Sequence, residues 1–159
     1  MAFSMIAAVG KNLELGKNGD LCFHLKKDMN FFKETTKGHP VIMGGNTFRS
    51  LKKPLPGRTN IVLSRSEDFP DGVEVYHSKD EIVAKYKDSD AFIIGGAKIY
   101  EMFLPDSKKI YLTEIDASTE ADVYFPEFDK TNYDRKIIDS DAENGINFEF
   151  VVYTKKEEL

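Results

Sequence analysis

A single carboxylate stands in an unfavourable place near the start of the chain, and it is the first candidate for chemistry. The segment 26–36 (KKDMNFFKETT) has the spacing of an amphipathic helix. With Leu25 set to zero, about 100° per residue places Phe32 near about −20°, Asp28 near about −60° and Phe31 near about −120°. Asp28 therefore shares a side with apolar residues, where an unpaired charge is costly. It is either a boundary residue that caps the helix or reaches solvent, or a carboxylate at the floor of a pocket for a cationic or amidine-like partner.

Two glycine pairs are the next candidates. Gly95-Gly96 ends one apolar run, and Gly44-Gly45 ends another just before a polar helix start. At such strand-to-helix junctions the backbone can approach a phosphate closely. A tight packing turn is the more common cause of a single pair, and neither G-x-G-x-x-G nor a Walker P-loop is present. Two junctions together predict a place for both ends of a dinucleotide pyrophosphate.

Two loops bring further candidates. Arg58 follows two prolines and a glycine in KPLPGRTNIVLS (53–64), so its guanidinium is either a rigid bidentate carboxylate clamp or a surface arginine beside a turn. The sequence GKNGD (16–20) predicts a flexible segment between the first strand and the helix of Asp28. It is either a simple turn or a lid over a ligand at the end of the sheet.

The composition limits the classes of function. The chain has 159 residues, 41% of them hydrophobic, and a net charge of −5, which is an ordinary globular mix of about one domain. The acidic balance and the lack of a dense Lys/Arg run argue against nucleic acid and anionic membranes as partners. One cysteine, Cys22, permits no internal disulfide, and neither a signal-peptide pattern nor a membrane-spanning stretch is found. We therefore expect a cytoplasmic protein with no membrane association and no metal site.

The predicted elements alternate between strands and helices. Apolar runs of strand length lie at 3–9, 40–44, 59–64, 73–77, 91–96, 109–116, 135–140 and 148–155. The early runs are nearly continuous, as in parallel strands buried on both faces, whereas the last three alternate more, as in antiparallel or edge strands. Helices are predicted at 26–36, 79–87 and 97–103 and after Gly45. The pattern predicts an α/β fold with a mixed, mostly parallel central sheet of about eight strands, an antiparallel C-terminal strand and about four flanking helices, in one domain over 1–159.

In this order, the motifs resemble those of the dihydrofolate reductase family over nearly the whole chain. The likeness rests on MIAAV at the start, Asp28 with Phe31-Phe32, PVIMG followed by TF.S, PLPGR.NIVLSR, IIGGAKIYE.FLP, YLTEID, and D..FP at 122–126. Each motif is weak alone, but the ordered set at matching spacing is highly specific.

The resemblance implies that NADPH delivers a hydride to the pterin ring of 7,8-dihydrofolate and gives 5,6,7,8-tetrahydrofolate. The catalytic set that it implies is Asp28, which binds the amino group and ring nitrogen of the pterin, Thr113, which steadies this carboxylate, Phe23 and Leu21. The implied substrate contacts are Ile6, Ala7, Met29, Phe32, Lys33, Leu51, Leu55, Arg58 as the clamp of the glutamate α-carboxylate, and Ile94. The implied cofactor contacts are Ala8, Leu15, Gly16, Gly19, Asp20, Gly44, Gly45, Asn46, Thr47, Leu63, Ser64, Arg65, His77, Ile94, Gly95, Gly96, Ala97, Lys98, Ile99 and Tyr100. The family typically joins the second glycine pair by a cis peptide bond.

Two departures from the family pattern bear on function. Relatives usually have Pro-Trp where this chain has Cys22-Phe23, so the aromatic ring is kept without its indole N–H, and the loss of proline should loosen the lid segment. Many bacterial relatives carry an arginine, which contacts the 2′-phosphate of NADPH, at the position of Gly45. We expect Arg65 to replace it, with His77 and Lys98 in support.

Two alternatives remain at this point. One is a related pterin or pyrimidine reductase of the same fold, and the other is a non-catalytic dinucleotide-binding module. The clamp at Arg58 favours a folate, and retention of Asp28 and Thr113 favours catalysis, although a fold alone does not establish function. Dihydrofolate and antifolate inhibitors are the expected ligands, and a monomer is the expected state.

Overall fold

The computed structural model describes residues 3–66 and 68–157. Its four helices are α1 Lys26–Thr36, α2 Gly45–Leu51, α3 Lys79–Tyr86 and α4 Ala97–Phe103. Its strands are β1 Phe3–Val9, β2 Glu14–Lys17, β3 Asp20–Leu21, β4 Val41–Gly44, β5 Asn60–Leu63, β6 Val73–Tyr76, β7 Phe92–Gly95, β8 Ser107–Ile115, β9 Val123–Tyr124, β10 Tyr133–Glu143 and β11 Ile146–Lys155. None of the helices in these two ranges has the length and apolar character needed to cross a membrane.

Eight strands form the central sheet in the order β10-β11-β8-β1-β7-β4-β5-β6. All pairings from β8 across to β6 are parallel. β11 runs antiparallel to both of its neighbours, β8 and β10. The predicted mixed, mostly parallel sheet with an antiparallel C-terminal strand is therefore confirmed.

Helices cover both faces of this sheet, which explains the nearly continuous apolar runs of its inner strands. Successive residues of a strand point to opposite faces. On β5, Ile61 packs in the same cluster as Ile82 of α3. The next residue, Val62, packs with Phe48 of α2 and Phe32 of α1 on the other side. The carboxyl ends of the inner parallel strands meet at one edge, which is where open α/β sheets bind ligands.

A small second sheet was not predicted. The segment 16–20, predicted as either a simple turn or a lid, contains the turn of a hairpin in which β2 pairs with β3, and β9 pairs with the other side of β2. Asn18 and Gly19 have φ of 53° and 78°, the combination that a type I′ hairpin turn requires. These strands are only two to four residues long, so their alternation does not stand out in the sequence.

The last hairpin is longer than predicted. β10 extends beyond the predicted strand 135–140 at both ends. β11 begins before the predicted strand 148–155 and ends with it. A second Asn-Gly pair, Asn144 and Gly145, has φ of 53° and 78° and closes this hairpin in the same way. The polar residues of β10 hid its true length, because an exposed edge strand needs no apolar run.

Candidate active site

Asp28 lies in the first turn of α1, and Thr113 faces it from β8. The Thr113 hydroxyl donates a hydrogen bond of 2.5 Å to Oδ1 of Asp28, and Thr113 is only 2% exposed. Burial raises the pKa of the Asp28 carboxyl, the bond from Thr113 opposes this rise, and the negative charge of Glu143 adds to it. The net pKa is above the usual value. A fixed acid with a raised pKa is the type of group found at sites that exchange charge with a ligand.

Tyr100 of α4 lies beneath the centre of the sheet, close to this acid. Its hydroxyl donates to the carbonyl oxygen of Ile6 at 2.7 Å, and its side chain is buried. Burial, together with the negative charge of Asp28, raises the pKa of Tyr100 well above its usual value. Tyr100 is therefore a neutral donor that fixes β1 where the half-buried Ala7 and Ala8 follow Ile6.

The side chains expected to wall a pterin share one apolar face. Four are half-buried in the cluster that Ile6 helps to form: Phe32, Leu51, Leu55 and Ile94. Met29 and Leu21 are 50% and 52% exposed, and Lys33 is exposed on α1. Large apolar side chains that stay open to solvent beside a half-buried acid indicate a cleft that a ligand can enter.

Arg58 is held from two sides. Its Nε donates to the Pro56 carbonyl oxygen and its Nη1 donates to the Thr36 hydroxyl, each at 2.8 Å. Thr36 is fully buried at the end of α1 and donates in turn to the Phe32 carbonyl oxygen at 2.8 Å. A guanidinium fixed in this manner is a preorganised receptor for a carboxylate.

The sequence reasoning missed Asn60, which fixes the loop that carries Arg58. The Asn60 side chain accepts from the Leu55 N–H at 2.9 Å and donates to the carbonyl oxygens of Leu55 and Arg58 at 2.9 and 3.0 Å. Asn60 is only 2% exposed. An amide side chain that opens a strand just after a Pro-Gly turn was the available signal, because such residues commonly bond turn backbone.

The two glycine pairs lie side by side, since β4 and β7 are neighbours. The Gly95-Gly96 peptide bond is cis. A Cβ added to Gly95 would lie 3.4 Å from Oγ1 of Thr47, and one added to Gly96 would lie 3.6 Å from the same atom. A Cβ added to Gly44 would lie 3.1 Å from Cγ1 of Ile99. The backbone is therefore closely packed and bare of side chains at both junctions, beside a hydroxyl from α2. Ala97, half-buried, follows as the first residue of α4.

A guanidinium that the sequence reasoning missed lies beside Gly45. A Cβ at Gly45 would be 3.3 Å from Nη1 of Arg49, from Oγ of Ser64 and from the Phe69 ring. The Arg49 guanidinium stands 5.1 Å from the centre of that ring and donates to Oδ1 of Asn46 at 3.4 Å. Arg49 is one helical turn after Gly45, so its side chain can reach the space beside a residue that has none.

The other basic candidates are at the ends of neighbouring strands. The half-buried Leu63 ends β5, Ser64 follows it, and the next residue, Arg65, is exposed. Nδ1 of His77, after β6, donates to the Ser64 carbonyl oxygen at 2.8 Å. Lys98 is exposed in the first turn of α4, at the other glycine junction.

The β2–β3 hairpin, the predicted lid, is linked to the segment before β9 by a buried carboxylate. Glu14 is 2% exposed, and its carboxylate accepts from the backbone N–H of Asn12 at 2.6 Å and of Thr119 at 2.9 Å. Burial opposes ionisation of Glu14. Hydrogen bonds from backbone N–H groups, including the N–H of Glu14 itself, outweigh burial and hold the pKa of Glu14 below its usual value. A Cβ at Gly10 would lie 2.7 Å from this carboxylate and 2.9 Å from the Ala117 carbonyl oxygen.

Further bonds close the lid hairpin. The Asp122 N–H donates to the Gly16 carbonyl oxygen and the Asp122 side chain accepts from the Asn18 N–H, both at 3.0 Å. Leu15 and Gly16 are buried within β2, the first strand of the hairpin. Gly19 is exposed at its turn, and the exposed Asp20 pairs with His24 at 3.2 Å. After the hairpin, Phe23 is half-buried against the cluster of Leu25, Phe148 and Phe150.

Comparisons with known proteins decide the family. The family model described as dihydrofolate reductase matches residues 2–155. Dihydrofolate reductase of Bacillus subtilis (strain 168) is 38% identical over 160 residues, which cover 96% of this chain and 94% of the relative. The chain belongs to the dihydrofolate reductase family.

Other members of the family agree with this assignment. Dihydrofolate reductase type 3 of Salmonella typhimurium is 38% identical over 161 residues, 98% of this chain and 99% of the relative. Dihydrofolate reductase HdrB of Haloferax volcanii is 36% identical over 167 residues, 98% of this chain and 84% of the relative. A solved structure of dihydrofolate reductase from Enterococcus faecalis complexed with NADP(H) and RAB-propyl matches with a TM-score of 0.88 and 30% identity, over 98% of this chain and 96% of that one.

The glycine junctions of this dihydrofolate reductase fit its NADPH cofactor. The bare backbone at the cis Gly95-Gly96 bond and the adjacent Thr47 hydroxyl suit the close approach of a pyrophosphate. Arg49 and Arg65 supply positive charge at the neighbouring strand end, as a ribose phosphate requires. These groups have the chemistry that a phosphorylated dinucleotide would need.

A groove of about 810 Å³ lies along β1, β8 and the C-terminal hairpin. Its lining includes Leu112, Glu114 and Ile115 of β8 and Asp141 of the C-terminal hairpin, and Asp141 accepts a hydrogen bond from Lys27, the residue before Asp28. The walls of the groove carry both positively and negatively charged side chains, such as Lys11 and Asp116. The groove therefore shows no preference for the charge of a ligand.

Proposed function

We propose that this dihydrofolate reductase transfers a hydride from NADPH to the pterin ring of 7,8-dihydrofolate and so supplies tetrahydrofolate to one-carbon metabolism. The observation that carries the proposal is the 2.5 Å pair of Asp28 and Thr113 in an apolar cleft beside the glycine junctions. A pterin edge presents two parallel N–H donors, and a carboxylate accepts both in one plane. A carboxylate among apolar side chains is unfavourable for folding, but in this position Asp28 can bind a flat ligand that has hydrogen-bond donors on one edge.

The residues of the chain contribute orientation and a proton site. NADPH, when bound, supplies the hydride. A proton must then reach the ring nitrogen beside the reduced carbon. The Asp28 carboxylate stabilises positive charge on the pterin, and its raised pKa allows the acid and its ligand to share a proton nearer neutral pH. Water carries the proton to the ring nitrogen, while the Thr113 hydroxyl holds the carboxylate in position.

The remote end of the substrate is bound by Arg58. Its guanidinium is fixed by Pro56 and Thr36, so little side-chain entropy is lost when it binds the α-carboxylate of the glutamate tail. Lys33, exposed on the same end of the cleft, adds positive charge. This clamp favours a folate over a pterin or pyrimidine that has no carboxylate tail.

The test is the loss of NADPH absorbance on mixing with dihydrofolate. Asp28→Asn should reduce hydride transfer by orders of magnitude at pH 7, with partial recovery at low pH, where the substrate is already protonated. Asp129→Asn, at an exposed acid outside the site, is the matched control and should turn over like wild type. Near-normal activity of Asp28→Asn at pH 7 would overturn the role of Asp28. A wild-type protein that binds NADPH without turnover would instead be a binding module.

We further propose that the enzyme acts in the cytoplasm as a monomer and that antifolates compete at the pterin site. The single cysteine, Cys22, supports a reducing compartment because no internal disulfide is possible. The apolar walls and the acid of the cleft suit a diamino-heterocycle as well as a pterin. Size-exclusion chromatography with light scattering tests the monomer, and competition between an antifolate and dihydrofolate in the same assay tests the ligand class.

A further inference from the structure

Helix α1 begins without a capping side chain of its own. Its N-cap residue is Leu25, which makes no side-chain capping hydrogen bond, although the first N–H groups of a helix need acceptors. The acceptor is distant in sequence: the Glu143 carboxylate takes the N–H groups of Lys26 and Lys27 at 2.8 and 2.9 Å, one on each oxygen. A residue 116 to 117 positions away therefore caps the helix that carries Asp28.

The hairpin that presents Glu143 is itself well defined. Glu143 ends β10 and pairs with Ile146 across the Asn144-Gly145 turn. A second link joins the same two elements, because Nζ of Lys27 donates to Oδ1 of Asp141 at 2.7 Å and to the Ala142 carbonyl oxygen at 3.1 Å. The C-terminal hairpin thus fixes the first turn of α1 through four hydrogen bonds.

The charge of Glu143 acts on Asp28 as well. The N-terminus of a helix carries partial positive charge that would favour an ionised acid in the first turn, and Glu143 occupies that end with a full negative charge. The backbone N–H groups of Lys27 and Lys26 hold the pKa of Glu143 below its usual value, which favours its ionised form. The other charged or titratable groups near these two acids are Lys26, Lys27, Asp141 and Tyr100. Lys27 is paired with Asp141, and Tyr100 is neutral.

We propose that Glu143 is a positioning residue of the reductase, which fixes the first turn of α1 and, through its charge, favours the protonated form of the Asp28–pterin pair. The inference rests on the proposed function, because it assigns Glu143 to the proton equilibrium of the same reaction. A unit charge bonded to the two backbone N–H groups just before Asp28, at a partly solvated surface, changes such an equilibrium on the order of threefold.

The experiment compares Glu143→Gln, Glu143→Asp and wild type in single-turnover hydride transfer from pH 5 to pH 9. In Glu143→Gln the apparent pKa of the rate should move about half a unit to the acid side, with a roughly threefold lower rate in the alkaline limb. Glu143→Asp keeps the charge and should keep the wild-type profile, even if its shorter side chain lowers the Tm. Glu149→Gln removes one charge from the adjacent strand and should leave the profile unchanged.

A second measurement needs no turnover. The carboxyl carbon of Asp28, followed by NMR in the ligand-free protein and assigned with Asp28→Asn, should titrate at lower pH in Glu143→Gln than in wild type. A lower Tm of Glu143→Gln with an unchanged rate profile and an unchanged carbon titration would show a structural cap only and would overturn the inference. If the wild-type protein does not turn over dihydrofolate, the proposed function fails, and the carbon titration still decides the effect of Glu143 on Asp28.

Discussion

Replacing Asp28 by asparagine should make the ligand-free protein more stable at neutral pH while it abolishes most activity. Asp28 is half-buried by surface, and the net effect of burial, the Thr113 bond and the Glu143 charge favours its neutral form. An asparagine has nearly the same shape and no charge. Its amide oxygen still accepts the hydrogen bond from the Thr113 hydroxyl.

The size of the gain follows from two opposing contributions. Weakening a charge-assisted bond to a neutral one costs about 1 kcal/mol. Removing the desolvation of a carboxylate returns several kcal/mol for a fully buried ion, and about 2 kcal/mol is reasonable for one that is partly exposed. The net gain is about 1 kcal/mol, which for a chain of 159 residues raises the Tm by about 2–4 °C.

The pH dependence gives the sign of the effect independently. The folded-state pKa of Asp28 is raised, so the carboxylate costs nothing well below the unfolded-state pKa of about 4, where it is protonated in both folded and unfolded chains. Its cost grows as the pH rises and is complete above the folded-state pKa. The stabilisation by Asp28→Asn should therefore be nearly absent at pH 3 and full at the alkaline end of the range.

Thermal unfolding followed by circular dichroism from pH 3 to pH 8, without ligand, measures both the size and the trend. Asp129→Asn is the control of opposite sign, because the hydroxyl and backbone N–H of Thr131 hold the pKa of Asp129 below its usual value. Asp129→Asn should leave the Tm unchanged or lower it at neutral pH, and it should not raise it. A destabilised Asp28→Asn at pH 7, or a gain of the same size at pH 3, would refute the reasoning.

Three further outcomes are expected at other positions. Arg58→Lys should raise KM for dihydrofolate about 10- to 100-fold, through loss of a bidentate charged contact, and should spare a pterin substrate without a glutamate; an equal rise for both would contradict the clamp. Arg65→Ala and Arg49→Ala should each be assayed with NADPH and with NADH. The variant that removes the guanidinium in contact with the 2′-phosphate should lower the preference for NADPH about tenfold. An unchanged ratio of NADPH to NADH activity in both variants would exclude both arginines as the 2′-phosphate contact. Asn60→Ala leaves buried backbone groups of the Arg58 loop without partners and should cost about 2–4 kcal/mol in urea unfolding, with an increased KM for dihydrofolate; a stability equal to wild type would contradict its structural role.

Local periodicity was enough to predict the central sheet and most helices. α1 and α4 begin and end at the predicted residues, because each follows a clear change of pattern. Ser78 caps α3 as expected, since its hydroxyl accepts the Glu81 N–H at 3.3 Å. These features depend on residues within a few positions of each other.

The features that local patterns did not predict join distant segments. β2 and β9 pair across more than 100 residues, and two short strands carry no usable alternation. The Glu143 cap of α1 depends on the exact end of β10, which lies beyond the predicted strand. No rule on spacing along the chain can find such a contact before the sheet is assembled.

At the site itself, residue type was more informative than position. Asp28 stood out because a charge in an apolar stripe needs an explanation, and the structure gives it a partner in Thr113. Arg49 did not stand out because an arginine on a helix is ordinary. Gly45 has no side chain, and the Arg49 guanidinium occupies the space beside it. This placement can be recognised only in the folded structure.

The link between the lid and the segment before β9 has a consequence for mutational tolerance. The Glu14 carboxylate accepts from the backbone N–H groups of Asn12 and Thr119, so most substitutions at those two positions leave these two bonds intact. Position 14 alone supplies the acceptor, and at Gly10 even a methyl group would collide with it. In a library of single substitutions, we expect the positions that donate to accept many residue types, whereas positions 10 and 14 accept almost none. The lid would thus vary freely in side chains while its attachment stays the same.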